Sequence, residues 1–105
     1  MNVSSKIPME KTIVTKILKW LNSLPGCYAI KTHGSQYGSG EPDIVGVICR
    51  QAFVFEVKRP EIGKVTKLQE IKLQQWRKAG AIAEVVTSLE QVKEIFVKEG
   101  INHVS

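Results

Sequence analysis

The feature that most constrains the fold is a strand, a helix and a second strand between Phe53 and Val86. Residues 53–58 and 81–86 are short apolar segments typical of buried strands, and residues 67–79 between them have helical spacing. A β-α-β crossover of this kind implies that the two strands pair in parallel, with a right-handed connection. The chain is therefore predicted to contain a mixed sheet flanked by helices.

The segments before and after this unit supply the other elements and give the order α-β-β-β-α-β-α. An apolar stripe at helical spacing predicts a first helix over residues 8–23. The motifs Thr66-x-x-Gln69 and Ser88-x-x-Gln91 match capping boxes at the starts of the second and third helices. The remaining predicted strands are residues 27–32 and residues 44–49, and the latter form a hairpin with residues 53–58 through a turn at Arg50-Gln51.

Length and composition narrow the class of protein. The 105 residues are expected to form a single domain, residues 1–105. Fifteen Lys and Arg against ten Asp and Glu give a net charge of +5, which favours a polyanionic partner but also occurs in basic proteins that bind none. Cys27 and Cys49 are too few for a disulfide framework. With no basic and apolar leader and no apolar run that could span a bilayer, we expect a cytoplasmic protein without a membrane partner.

Two charged side chains interrupt the apolar strand at residues 53–58. Because strand side chains alternate between faces, Glu56 and Lys58 are predicted to point the same way, opposite to Phe55. The hairpin would bring Asp43 close to Glu56, and two close carboxylates repel each other unless a cation lies between them. Alternatively, Glu56 and Lys58 face solvent on an edge strand and Asp43 is a turn residue. Spacing alone leaves both interpretations open.

Three other positions bear on this hypothesis. Lys58 would place a fixed positive charge beside a metal and a phosphate. Glu10 shares the apolar face of the first helix with Ile17, where a lone carboxylate is disfavoured unless a metal site lies beneath it; it could also be a first-turn acid favoured by the helix dipole. Gln69 is explained by its capping box and could also face the site from the helix start, where N–H groups favour phosphate.

The region around the three glycines of residues 33–42 is predicted to be a loop that contacts nucleic acid. Its histidine could be a general base or simply solvated, and its tyrosine could stack on a base or anchor the loop. Lysines near the start of the second helix either contact phosphates or form a solvated face. Trp20 and Trp76 are expected to be packing residues. The candidate nucleic-acid contacts are His33, Gly34, Tyr37, Gly40, Lys64 and Lys67.

Together these motifs resemble VRR-NUC (virus-type replication-repair nuclease) domains of the PD-(D/E)xK nuclease superfamily. The resemblance spans residues 10 to about 96 and implies a restriction-endonuclease-like core with Mg²⁺- or Mn²⁺-dependent hydrolysis of DNA phosphodiesters. The matching elements are Glu10, Gly40-Glu41-Pro42-Asp43, Phe55-Glu56-Val57-Lys58, Pro60 with Gly63, Gln69 and Gly80.

The resemblance also implies roles for individual residues. Asp43, Glu56 and the carbonyl of Val57 would bind metal. Glu10 would bind it directly or through water. Two further residues complete the implied site, with Lys58 as the catalytic lysine and Gln69 as its supporting helix glutamine.

Stand-alone domains of this family are similar to Holliday-junction resolvases and are homodimers. The resemblance therefore implies a dimeric endonuclease for branched DNA, in a bacterial or phage-infected cell. A flap or single-strand nuclease of the same family and a nucleic-acid-binding module without catalysis remain alternatives. The intact set of Asp43, Glu56 and Lys58 counts against the binding module. Glu41 adds a negative charge at a position where family members vary, and the sequence offers no account of it.

Overall fold

A computed structural model of the chain describes residues 6–32 and 40–101. The described residues form a four-stranded sheet and three helices in the order α-β-β-β-α-β-α, which confirms the predicted α/β class. None of these helices is long and apolar enough to cross a membrane. The elements are α1 (Glu10–Leu21), β1 (Cys27–Lys31), β2 (Ile44–Ile48), β3 (Gln51–Val57), α2 (Lys67–Lys78), β4 (Ile82–Val86) and α3 (Leu89–Lys98).

The sheet has the spatial order β1-β2-β3-β4. Its second strand, β2, pairs antiparallel with both β1 and β3, whereas β3 pairs in parallel with β4. The parallel pair confirms the predicted crossover through α2. Because β3 has a neighbour on each side, Glu56 does not lie on an edge strand, and that alternative is excluded.

The β2–β3 turn lies one residue earlier than predicted. Ile48 pairs with Gln51, so the two-residue loop is Cys49-Arg50 and Gln51 already belongs to β3. Both loop residues have positive φ, 46° and 74°. Gly and Asn are the usual residues in hairpin loops of this conformation, so Cys49-Arg50 carried no sequence signal for the turn.

α1 is shorter than the predicted range 8–23, since contacts outside the helix hold both of its ends. Arg59 donates to the carbonyl oxygen of Pro8 at 3.1 Å, and this oxygen lies ahead of the first helical residue. At the other end the Asn22 side chain makes two hydrogen bonds to the backbone of Ala29, at 3.0 and 2.9 Å. These contacts turn the chain from α1 into β1.

Helices cover both faces of the sheet. α2 packs on one face through Leu73, which contacts Val54 and Ala83. On the other face Gly46 makes room for Phe53, because an added Cβ would lie 2.5 Å from the Phe53 ring. α1 and α3 close that face over the larger core, which is formed by Ile13, Val14, Ile17, Leu21, Ala29, Ile44, Ile48, Phe53, Phe55, Val57, Ile82, Val86, Val92 and Phe96.

Candidate active site

The centre of the site is the carboxylate of Glu56, which β3 carries on the face covered by α2. Val54 belongs to the core beneath α2, whereas Phe55 and Val57 belong to the opposite core, so the predicted alternation along β3 is confirmed. Glu56 is only 2% exposed and is the one buried polar or charged residue within residues 6–32 and 40–101. This burial excludes a solvent-facing glutamate.

Asp43 lies directly before β2, and the chain around it is held on two sides. Its Oδ2 accepts a hydrogen bond from the backbone N–H of Val57 at 2.7 Å. The Thr32 hydroxyl donates to the carbonyl oxygen of Pro42 at 2.6 Å, and the Thr32 N–H donates to the carbonyl oxygen of Asp43 at 2.9 Å. These bonds place the Asp43 side chain at the end of β3, next to Glu56.

Glu56 Oε2 has two donors beside it, the ammonium group of Lys58 and the side-chain amide of Gln69. Lys58 Nζ lies 3.2 Å away, and Gln69 Nε2 donates to the same oxygen at 2.9 Å. The other end of the Gln69 amide closes the capping box of α2, where Oε1 accepts from the Thr66 N–H at 3.0 Å and the Thr66 hydroxyl accepts from the Gln69 N–H at 3.1 Å. The cap and the contact with the site, which the sequence left open, thus occur together.

The other carboxylate oxygen, Glu56 Oε1, is buried and has no hydrogen-bond partner among the described residues. Burial, followed by the charge of Asp43, raises the pKa of Glu56 to about 7, although the hydrogen bond and charge of Lys58 oppose this shift. Burial and then Asp43 also raise the pKa of Glu10, against the attraction of Lys58. A dehydrated group of acids like this one favours uptake of a proton or a cation.

The acids fit a hard divalent cation through two carboxylates rather than three. No three His, Cys, Asp or Glu side chains of the described ranges are arranged as one metal-binding group. Mg²⁺ commonly takes one or two carboxylates and completes its shell with water and phosphate oxygens. The buried Oε1 of Glu56, beside Asp43, supplies the chemistry for that mode of binding. Glu10, at the first position of α1, is a further electrostatic neighbour of Asp43.

The predicted nucleic-acid contacts are placed only in part. Gly40 has a φ of 69° and packs against the start of α2, where an added Cβ would lie 2.8 Å from Leu68 Cγ. Lys67 is the first residue of α2 and is exposed, as is Lys64 just before it. Outside the described residues lie His33, Gly34 and Tyr37.

Sequence reasoning missed the role of Arg59. This residue follows Lys58 and donates to the carbonyl oxygens of Ile7 at 3.0 Å and Pro8 at 3.1 Å, so it ties the end of β3 to the segment that leads to Glu10. The partners are separated by 52 and 51 positions, and no local pattern indicates such a contact.

The contacts of Glu41 were also missed. Its Oε1 accepts from the indole N–H of Trp76 at 3.0 Å, and its Oε2 lies 3.6 Å from Lys72 Nζ. Trp76 packs against the core between α2 and the sheet, as expected, and its indole N–H also makes the hydrogen bond to Glu41. The only signal in the sequence was an additional acid two residues before Asp43.

No family model and no curated protein matches the chain. A solved structure described as a VRR_NUC domain matches with a TM-score of 0.69 and 28% identity, over 87% of this chain and 96% of its own. Another, described as a VRR_NUC domain protein, matches with a TM-score of 0.70 over 95% of this chain and 93% of its own. Its identity is 19%, so that likeness concerns the fold alone.

A likeness over nearly the whole of both chains, with the same mixed sheet and crossover, defines a nuclease-family domain of the restriction-endonuclease-like class. More narrowly, the chain is similar in fold to solved VRR-NUC domains. The structure that is 28% identical agrees with the family whose motifs the sequence carries at residues 40–43 and 55–58.

Proposed function

We propose that this domain is a metal-dependent, structure-selective DNA endonuclease that resolves four-way (Holliday) junctions. The observation that carries the proposal is the buried Glu56 carboxylate, whose Oε1 has no hydrogen-bond partner among the described residues and lies in the field of Asp43. A buried carboxylate oxygen without a hydrogen-bond partner is costly to fold, and such costs concentrate at functional sites.

In this proposal the acids form the metal site. Asp43, Glu56 and the carbonyl of Val57 would hold Mg²⁺ or Mn²⁺, and Glu10 would bind the ion directly or through water. Such an ion, when bound, polarises a phosphate and activates a water molecule for hydrolysis.

The residues around the acids have supporting roles. The Gln69 amide holds Glu56 Oε2 from the side of α2, while Oε1 has no hydrogen-bond partner among the described residues. Lys58 Nζ, 3.2 Å from Glu56 Oε2, is close enough to the carboxylates to steady negative charge that develops on a phosphate held there.

DNA is the proposed polyanion, in keeping with the net charge of +5. Lys64 and Lys67 are exposed at the start of α2, where backbone N–H groups also attract phosphate. The other proposed contacts with DNA are Gly40, His33, Gly34 and Tyr37. A homodimer would present two active sites to the two strands that a junction resolvase must cut.

Cleavage assays with labelled four-way junction, flap, single-stranded and duplex DNA, in Mg²⁺, Mn²⁺ or EDTA, test the proposal. Asp43→Ala and Glu56→Ala are expected to abolish cutting, because each removes a metal ligand. Lys58→Ala is expected to slow cutting about 100- to 1,000-fold, the usual cost of losing one transition-state stabiliser. Lys98→Ala, at the exposed end of α3, removes the same charge away from the site and should cut at the wild-type rate.

The outcomes separate the candidate functions. Paired symmetric cuts in the junction alone, lost with EDTA, would establish a resolvase. Cutting of flaps or single strands instead would keep the nuclease and exclude the junction role. Junction binding without cleavage under any divalent ion would favour a binding module, and a folded Asp43→Ala variant that cuts at the wild-type rate would overturn the site.

A further inference from the structure

Glu41 is an acid beside the site for which the proposed chemistry has no use. Both of its carboxylate oxygens nevertheless have partners on α2, namely the indole N–H of Trp76 at 3.0 Å and Lys72 Nζ at 3.6 Å. The indole is itself held in place, because Trp76 packs against the core that Leu73 forms with the sheet. Glu41 therefore contacts a fixed donor, not a freely moving side chain.

The residue before it makes a second contact with α2. Gly40 approaches the first turn so closely that an added Cβ would lie 2.8 Å from Leu68 Cγ and 3.3 Å from the Gln69 backbone nitrogen. Gly40 thus contacts the first turn of α2, and Glu41 contacts the later turns. Asp43 follows two residues later, so its backbone is fixed relative to the same helix.

One face of α2 contacts both Glu56 and the segment that carries Asp43. Gln69, Lys72 and Trp76 are spaced at intervals of three and four residues, which places them in line along the helix. Gln69 holds Glu56, whereas Lys72 and Trp76 hold Glu41. A single rigid helix therefore sets the position of the segment that carries Asp43 against the strand that carries Glu56.

We propose that Glu41 is a positioning residue: by binding Trp76 and Lys72 it fixes the Asp43 carboxylate beside the Glu56 carboxylate. A cation shared by two carboxylates requires both to be held within a fraction of an ångström of the binding geometry. The effect on metal binding and cutting rests on the proposed function, whereas the placement of Asp43 can be measured without metal or DNA.

The indole contact is expected to carry most of the effect. The Lys72 pair is longer, and its side chains are 27% and 36% exposed, so solvent and salt weaken it. The indole bond joins a packed donor to a charged acceptor at 3.0 Å. Glutamine at position 41 would keep an oxygen for the indole and lose only the charge, whereas alanine would lose both contacts.

The experiment compares Glu41→Ala, Glu41→Gln and Trp76→Phe in the full chain. Glu94→Ala on α3 and Trp20→Phe on α1 are matched controls, because they make the same changes on helices other than α2. Trp20 lies in the last turn of α1 and packs against Phe96 of α3. The first measurement is the NMR resonance of the Val57 amide without metal, since this N–H donates to Asp43 Oδ2 at 2.7 Å. A short bond to a carboxylate moves an amide proton downfield, so displacement of Asp43 should move it back upfield.

The second measurement is the affinity of each protein for Mn²⁺ by calorimetry, followed by cleavage kinetics. Residues that orient metal ligands typically change metal affinity or activity about 10- to 100-fold, and we expect a loss in this range for Glu41→Ala and Trp76→Phe. Glu41→Gln should lie closer to wild type. The loss should appear mainly in kcat and not in KM, because neither Glu41 nor Trp76 is itself a proposed DNA contact.

An upfield shift of the Val57 amide in Glu41→Ala and Trp76→Phe, with weaker Mn²⁺ binding and unchanged controls, would establish the positioning role. An unchanged Val57 resonance in either folded variant would overturn it, whatever the activity. If the wild type neither binds Mn²⁺ nor cuts DNA, the proposed function fails, and the amide resonance still decides the role of Glu41. If Glu41→Ala does not fold, Trp76→Phe decides it.

Discussion

The starts of α2 and α3 have the same sequence signature and use it differently. Each has a hydroxyl residue as its cap and a glutamine three positions later. In α2, Gln69 accepts from the N–H of its cap, Thr66, and donates to Glu56. In α3, Gln91 accepts from the N–H of Thr87 at 2.7 Å, one residue before the cap.

The second predicted capping box is therefore incomplete. The Ser88 hydroxyl accepts from the Gln91 N–H at 3.2 Å, but the return bond goes to Thr87. Both motifs marked a helix start correctly. A cap motif therefore determines where a helix begins, whereas the second partner of its glutamine amide depends on which group lies opposite the helix start. α2 begins against a buried acid, and that acid converts a capping glutamine into part of a site.

The largest expected difference between the two helix starts is in the dependence of stability on pH. The pKa of Glu56 is raised to about 7 in the folded protein, against 4.5 for the free side chain. Between these values the folded state binds more protons than the unfolded state, so this residue lowers stability as pH rises from 4.5 to about 7. Glu56→Gln should remove that slope and gain at most about 3 kcal/mol over the wild type at pH 8.

Urea unfolding from pH 5 to 8 without metal measures this difference between wild type and Glu56→Gln. Glu90→Gln, in the first turn of α3, controls for the loss of a surface carboxylate. A wild type that gains stability relative to Glu56→Gln as the pH rises would contradict the expected sign.

The next largest difference concerns the two glutamines. Gln69→Ala should lower the cleavage rate about 10- to 100-fold, because Glu56 Oε2 loses the amide that orients it. Gln91→Ala removes the same side chain from α3 and should cut like wild type. Rates are compared with saturating Mn²⁺, after circular dichroism shows that both variants are folded. Equal losses in the two variants would mean that Gln69 acts only through helix stability.

The smallest difference is expected at the caps. Thr66→Ala and Ser88→Ala should each cost about 1 kcal/mol of unfolding free energy, because each removes the hydroxyl that accepts from the third residue. Only Thr66→Ala should also slow cutting, since Gln69 then has one anchor fewer. Unfolding and cleavage measured on the same preparations separate the two effects, and a slower Ser88→Ala enzyme would argue against this distinction.

Much of the fold could be predicted because it follows from periodic patterns. The alternation along residues 53–58 predicted the common face of Glu56 and Lys58, and the crossover to residues 81–86 predicted the parallel pair. The hairpin predicted the approach of Asp43 to β3. These features depend on local conformation and on which face is apolar, and both can be recognised in short segments.

The contacts that complete the site could not be predicted in this way. Glu41 meets Trp76 across 35 positions and Arg59 meets Pro8 across 51, at points set by how the helices lie on the sheet. Helical spacing identifies the inward face of α2 but not the depth or rotation at which it docks. Trp76 is mainly an apolar residue, so its spacing predicted packing and gave no sign of its hydrogen bond.

The contacts of Arg59 bear on the order in which the site assembles. Asp43 reaches Val57 across 14 positions within one hairpin, whereas Arg59 reaches Pro8 across 51. Closing the longer loop costs about 1 kcal/mol more chain entropy, and it also requires α1 to dock. The two carboxylates of the hairpin can therefore meet early in folding, and Glu10 joins them only when the beginning of the chain is fastened to the end of β3. Local unfolding of that beginning would then release Glu10 alone and leave the Asp43–Glu56 pair in place.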